Sequence, residues 1–283
     1  MATRMNRRAT GVVFGLALIA VSGSHLQAQA VLLQIRPHVG DTLTVRLEQK
    51  VEMSGAPVDC GPGTKSRDRA QLCSTLRRQM TTVSEVFSRA IVEKVSSDGA
   101  SVLALTDSVR TATSRGGALG RPRRVRGREH SIRMRVSSDG SAVVTDEGAS
   151  DELRSIFGQM PAMLSREPVR VGGKWTREMR MPITGESGAL GLVRATFHLD
   201  SLGNNGDIAY ISMRGTLTHD HRDGSNSDVD GWMTGSLELN RRLAWITETR
   251  AEIDVTSIFR PTGSGPMRVR TRITQHLKAG IAR

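Results

Sequence analysis

"LAWITETRAEIDVTSIF", residues 243–259, sets the period of this chain. Leu243, Trp245, Thr247, Thr249, Ala251, Ile253 and Val255 fall on one face of an extended strand, and Glu248, Arg250, Glu252 and Asp254 on the other. Side chains alternate across a strand with period two, so a stretch of this kind is half-buried with one wet face, the mark of antiparallel sheet. "TLTVRLEQKVEM" (42–53) and "MRVRTRITQHL" (267–277) repeat the pattern. Ser97-Asp98-Gly99, Ser138-Asp139-Gly140 and Asn204-Asn205-Gly206 punctuate it as hairpin turns do. The expected strands are 31–36, 41–53, 77–95, 100–110, 129–137, 141–146, 174–182, 189–201, 207–218, 231–239, 243–258 and 267–278.

One segment departs from period two. In "SDELRSIFGQMPAML", Leu153, Ile156, Phe157 and Met160 recur at helical spacing. Ser150 stands as an N-cap, with Asp151 and Glu152 in the first turn. The spacing predicts an amphipathic helix over 150–165, and the apolar face of the sheet is the large surface it can cover. A second pattern links "PHVGDTLTVRLEQ" (37–49) to "PVRVGGKWTREMR" (168–180). Val39, Gly40, Leu43 and Thr44 match Val171, Gly172, Trp175 and Thr176. This suggests two related halves, 31–146 and 168–280, within one domain spanning 31–283.

The N-terminus reads as a secretory signal peptide. Arg4, Arg7 and Arg8 precede an apolar run from Gly11 to Val21, and Ala28-Gln29-Ala30 is a small-residue cleavage signature. The run is short of the roughly 20 residues that span a bilayer. No cysteine follows it to take a lipid. The expected location is the periplasm or the extracellular space, with cleavage after Ala30. In that compartment Cys60 and Cys73 read as a disulfide pinning the polar loop between them, worth about 3 kcal/mol by loop closure. The net charge is +12, carried by 35 arginines and only 5 lysines, a usage that fits a GC-rich genome. With 3% aromatics and no basic recognition helix, nucleic acid is an unexpected partner. Anionic lipid and polysaccharide remain open.

Motifs for chemistry are sparse. Gly172-Gly173-Lys174 lacks the upstream glycine and the following Ser or Thr of a phosphate loop, and a strand follows it, so it reads as a turn that delivers Trp175 to the core. His219, His221 and Asp223 are the weak metal candidates, in a run of turn residues that a long polar hairpin loop explains as a whole. Neither a nucleophile elbow nor a zinc-protease or dinucleotide motif occurs, and the expectation is a protein without catalytic residues or cofactor. The arginine run 115–128 offers Arg121, Arg123, Arg124, Arg126 and Arg128 as contacts for an anionic group; the alternative is a solvated loop.

The "PVxVGxxW" element, carried by Pro168, Val169, Val171, Gly172 and Trp175, together with the "VGDTLTVRL" first strand, resembles a family of uncharacterised exported bacterial β-proteins. The layout is similar to the half-barrel of LolA-like lipoprotein carriers, where a curved sheet cups an apolar cavity under helices. This chain departs from those carriers in offering one helix rather than several. The expected fold is therefore mainly β: a curved antiparallel sheet or half-barrel of about 10–12 strands with one mid-chain amphipathic helix on its apolar face. The expected function is envelope binding of a lipid or other hydrophobic ligand, lined by Phe157, Met160, Phe197, Met213, Trp245, Ile253 and Ile273. An interaction or scaffold module of the envelope and an unrecognised hydrolase are the alternatives.

Overall fold

The computed structural model describes residues 30–58, 78–115, 118–126, 131–146, 161–182, 190–219, 228–259 and 265–282, with the backbone alone at 78, 124–126, 180–182, 190, 228 and 259. Twelve strands follow one another: β1 (Thr42–Pro57), β2 (Arg78–Ser96), β3 (Gly99–Arg115), β4 (Arg123–Arg126), β5 (Ser131–Val136), β6 (Ala142–Val144), β7 (Lys174–Pro182), β8 (Leu190–Gly203), β9 (Ile208–His219), β10 (Asp228–Asn240), β11 (Trp245–Phe259) and β12 (Met267–Ile281). They form one sheet in the order β6-β5-β3-β2-β1-β12-β11-β10-β9-β8-β7, with β4 added beside β3. The chain starts in the middle, builds one wing outward to β6, then crosses to the far edge and returns strand by strand. Antiparallel pairing of β1 with β12, from Leu43 opposite Ile281 to Pro57 opposite Met267, joins the wings.

The two ends of the sheet differ. The short turns at 97–98, 137–141, 204–207 and 241–244 lie at the end where β1 begins and β12 finishes. The turns that lead into β1 and β7 also lie there, and they are built alike. Asp41 N–H donates to the His38 carbonyl, and Gly173 N–H to that of Arg170. Gly40 and Gly172 sit between them at φ 88° and 86°, the left-handed position that a type II turn reserves for glycine. Each glycine N–H then donates to a neighbouring strand, Gly40 to Val92 and Gly172 to Leu199. The "VG" match in the sequence is thus a shared turn with a shared sheet contact.

Hydrogen bonds at this end require the sheet to roll up. Ile35 N–H donates to Ser138 in the β5–β6 turn at 2.8 Å, and the next residue, Arg36, donates to Ala244 in the β10–β11 turn at 2.9 Å. In a flat sheet those turns would stand about 29 Å apart, at about 4.8 Å per strand. Leu164 goes further: its N–H donates to the Asp139 carbonyl beside β6, and its own carbonyl accepts from Arg177 on β7. Flat, those edges would lie about 48 Å apart. The sheet is therefore a half-barrel whose edges are bridged at its base by residues 163–166.

The structure corrects four sequence expectations. Among the described residues there is no α-helix on the apolar face. Residues 147–160 lie outside the description, and 161–165, the end of the expected helix, run as irregular chain because Met163 and Leu164 give their amides to Asp139 rather than to a helical turn. The apolar face is covered instead by this strap and by residues 31–36. The latter were expected as a strand but make a single bridge, Val31 with Val169, while burying Leu33 and Ile35. Alternation signalled extended chain with one buried face, which a plug satisfies without a ladder. The arginine run holds a strand, β4, that the period did not show. Finally, register slips between Glu238 and Leu239, leaving Thr247 as the extra residue of a bulge. Ile246, not Trp245, therefore continues the face carrying Thr249, Ala251 and Ile253.

The concave face as candidate functional site

Register assigns every strand residue to a face. Phe197 opposes Met213, Met213 opposes Gly235, Gly235 opposes Ala251, Ala251 opposes Gln275, Gln275 opposes Gln49 and Gln49 opposes Ser84. This row lies inside the roll, on the same side as the plug. The neighbouring rows outside it carry charge: Arg46, Glu48, Lys50 and Glu52 on β1, and Arg268, Arg270, Arg272, His276 and Lys278 on β12.

Near the base the concave face is a filled core. Leu33, Leu164, Phe197, Leu199, Ile211, Leu237 and Leu239 are at most 1% exposed. Burying a leucine or phenylalanine fully stabilises by about 2–3 kcal/mol. Trp175 closes this floor on the β7 side. Its ring stacks on Phe197 with centroids 5.6 Å apart and planes 10° apart, and its Nε1–H donates to the Met163 carbonyl at 2.9 Å. On the other side Asp139, buried, accepts from the Ser141 amide and hydroxyl and from Nε and Nη2 of Arg166. Burial pushes its carboxyl up, but the hydrogen bonds from Ser141 and Arg166 outweigh it and hold the group below the ordinary aspartate value.

Farther from the plug the character changes. Leu47, Val51, Met53, Met80, Val86, Val109, Val255, Ile273 and Leu277 share the concave face but are only half-buried. Between them stand Thr82, Ser84, Thr111 and Thr113 in place of aliphatics, with Thr82 beside Thr113 and Ser84 beside Thr111 at 3.5 Å. The strands here are long, 15–19 residues in β1, β2, β3, β11 and β12. They outrun the short β5 and β6, so the strap covers only their base. The result is an amphipathic trough on β11, β12, β1, β2 and β3, above a dry floor.

The residues expected to line a ligand divide accordingly. Phe197, Met213 and Ile253 are buried floor, Ile273 is half-buried in the trough, and Trp245 is half-buried beside the β10–β11 turn. Phe157 and Met160 lie outside the described residues. Arg121 and Arg123 are exposed, Arg124 and Arg126 belong to β4, and Arg128 lies outside. Cys60, Cys73, His221 and Asp223 also lie outside, while His219 is buried at the end of β9. Among the described residues no group of three metal-ligating side chains converges. The trough residues of β1, β2 and β3 were missed as a group. Their Thr and Ser read as solvent-facing in the sequence, and it is the register that assigns them to the inside.

On the convex side, Asp254 is buried and receives Nε and Nη2 of Arg270 at 2.8 and 2.7 Å, and both groups of Arg272 at 3.2 Å. The Arg270 hydrogen bonds, against burial, hold its carboxyl below the usual range. A shallow pocket of about 230 Å³ opens beside this cluster, among Glu52, Ser54, Gln79, Thr81, Arg270 and Arg272. Its arginines are already committed to Asp254, so it offers no free cation to an anion. Glu85 bridges Arg46 and Arg110, whose guanidinium groups lie 5.6 and 5.5 Å from the Phe87 ring centroid. No helix among the described residues is long and apolar enough to cross a membrane.

No protein-family model and no curated protein matches the chain. Among solved structures it is similar to lipovitellin, from a study of lipid–protein interactions, at 12% identity and TM-score 0.47. That match covers 87% of this chain but 26% of the lipovitellin chain, so the chain spans about a quarter of that protein's length. Pseudomonas putida OprB in its low-pH structure matches at 10% identity and TM-score 0.25, covering 85% of this chain and 93% of that one. An outer membrane channel from Pseudomonas putida F1 matches at 8% identity and TM-score 0.23, covering 86% and 96%.

Proposed function

We propose that this is an exported, non-enzymatic envelope protein that holds a lipid or other hydrophobic ligand against the concave face of its half-barrel. The observation carrying the reading is the trough: apolar side chains of five long strands, left half-exposed on the inside of a rolled sheet whose base is sealed. Isolated exposed apolar residues are ordinary, but a contiguous concave patch marks a site for an apolar partner. The convex face supports the same orientation. Ion pairs such as Arg46–Glu85, Arg194–Glu178 and Arg270–Asp254 stand where a membrane barrel would present its apolar band, and charge there is costly in lipid. The ligand therefore comes to the inside of this sheet.

Native mass spectrometry of the protein, purified gently from its own envelope, tests this. The expected spectrum contains a species heavier than the apoprotein by one lipid mass. Repeated mild preparations giving only the bare chain would end the carrier reading.

A further inference from the structure

The two faces of the sheet differ in more than polarity. Register places Glu48, Glu52, Glu85, Glu178, Glu238, Glu248, Glu252 and Asp254 outside, and the bulge residues Glu93 and Asp107 pair with Arg133 and Arg89 on that same side. Among the described strand residues, no Asp or Glu occupies the concave face. Cations do. Arg115 continues the row of Met53 and Met80, because Met53 opposes Met80 and Met80 opposes Arg115. Arg123 opposes Thr111, which shares that face four residues back from Arg115, about 13 Å along β3. Both arginines are exposed, and neither makes an ion pair among the described residues; outside, Arg46, Arg89, Arg110, Arg133, Arg194, Arg250, Arg270 and Arg272 are paired, while Arg214 and Arg268 are exposed with no ion pair among the described residues.

From this asymmetry we infer that the ligand is an anionic amphiphile, its headgroup held by Arg115 and Arg123 and its tail lying along the trough. The inference rests on the proposed carrier function and specifies its ligand class. A face that carries cations and no carboxylate lowers the free energy of a negative group and repels none. Guanidinium also presents paired N–H groups suited to a carboxylate or phosphate. Beneath the arginines, Met53, Met80 and Val51 supply apolar surface. The methionines, unbranched and adaptable, suit an acyl chain better than a rigid core would.

Equilibrium binding of three probes to the purified protein separates the possibilities: oleoyl lysophosphatidylglycerol, oleoyl lysophosphatidylcholine and glycerol 3-phosphate. The first two share tail and phosphate but differ in net charge, and the third has the anion without a tail. The expected result is at least tenfold tighter binding of the anionic lysolipid than of the zwitterionic one, with no binding of glycerol phosphate at the same concentrations. R115Q/R123Q should bring the anionic lysolipid down to the zwitterionic level without changing the latter. R268Q, on the convex face, should change neither. Equal affinity for both lysolipids, or a preference that survives R115Q/R123Q, overturns the headgroup assignment while leaving the carrier standing. Glycerol phosphate binding as well as the lysolipid overturns it too, in favour of a plain anion site. If neither lysolipid binds, the carrier reading falls with it.

Discussion

Asp139 and Arg166 lock the base of the half-barrel: one carboxylate oxygen in the β5–β6 turn accepts Nε at 3.1 Å and Nη2 at 3.0 Å from a residue on the strap leading to β7. The carbonyl of the same aspartate accepts the Met163 and Leu164 amides. One residue beside the β6 edge thus holds three residues of the strap that ties down the other edge.

D139A removes the acceptor for Ser141 and Arg166 and should destabilise by about 1–3 kcal/mol, seen as a lower denaturant midpoint. The carboxyl is held below its ordinary value when folded, so its contribution is complete above the unfolded value of about 3.9 and is lost as pH falls through the folded value. The wild-type midpoint should therefore drop on acidification below about pH 4 more steeply than that of D139N. Parallel pH profiles for the two proteins would show that the carboxylate does not hold the strap.

Trp175 joins the strap to β7 by a hydrogen bond and to β8 by stacking. W175F keeps a ring on Phe197 but loses the donor to Met163, a cost of about 1 kcal/mol. W175A removes the stack as well and should cost about 3–5 kcal/mol, or roughly 10 °C in melting temperature at 2–4 °C per kcal/mol. Trp175 fluorescence should also redden when the strap is released by D139A. An unchanged spectrum would mean the two halves of the seal are independent.

How much of this was legible follows from what period two encodes. It reports extended chain with one buried face, so it found β1–β3 and β7–β12 close to their observed bounds. It does not name partners, and so it read the plug at 31–36 as a strand. Nor does it survive a bulge, which moved Trp245 off the face where alternation had put it. β4, Arg-Arg-Val-Arg, has no apolar alternation to read, and its pairing with β3 is what marks it as a strand. The trough was hidden because Thr82, Ser84, Thr111 and Thr113 look solvent-facing in sequence. Only the register shows them among Val51, Met53 and Met80, on the inside.

Glycine at 235 is a packing requirement. A Cβ there would lie 2.2 Å from the Arg250 carbonyl oxygen and 2.5 Å from the Met213 Cε. The sulfur-containing chain can move but the backbone cannot, so G235A should shift β10 against β11 and destabilise by about 2 kcal/mol or more. Gly55 is the contrast: its Cβ would meet only Val269 and Met267 side-chain atoms at 3.7 and 3.8 Å. G55A should change stability by less than about 0.5 kcal/mol in either direction. Equal effects from the two substitutions would contradict the close approach of β10 and β11.

Thr113 offers a direct test of why the concave face excludes acids. It is exposed at the rim, two residues from Arg115 on the same face, with its hydroxyl 3.5 Å from that of Thr82. T113D places a carboxylate where the headgroup is proposed to lie, at negligible cost to an exposed position. At roughly 6 Å and an effective permittivity of about 40, the repulsion between that carboxylate and an anionic headgroup is about 1.4 kcal/mol, a tenfold loss of affinity. Binding of oleoyl lysophosphatidylglycerol should weaken by about that factor while the zwitterionic lysolipid is unaffected, and the difference should shrink in high salt. T113N, similar in size and uncharged, should bind both as the wild type does. If T113D weakens both lysolipids equally, the substitution has disturbed the trough rather than the charge. If it weakens neither, the headgroup does not sit at this rim.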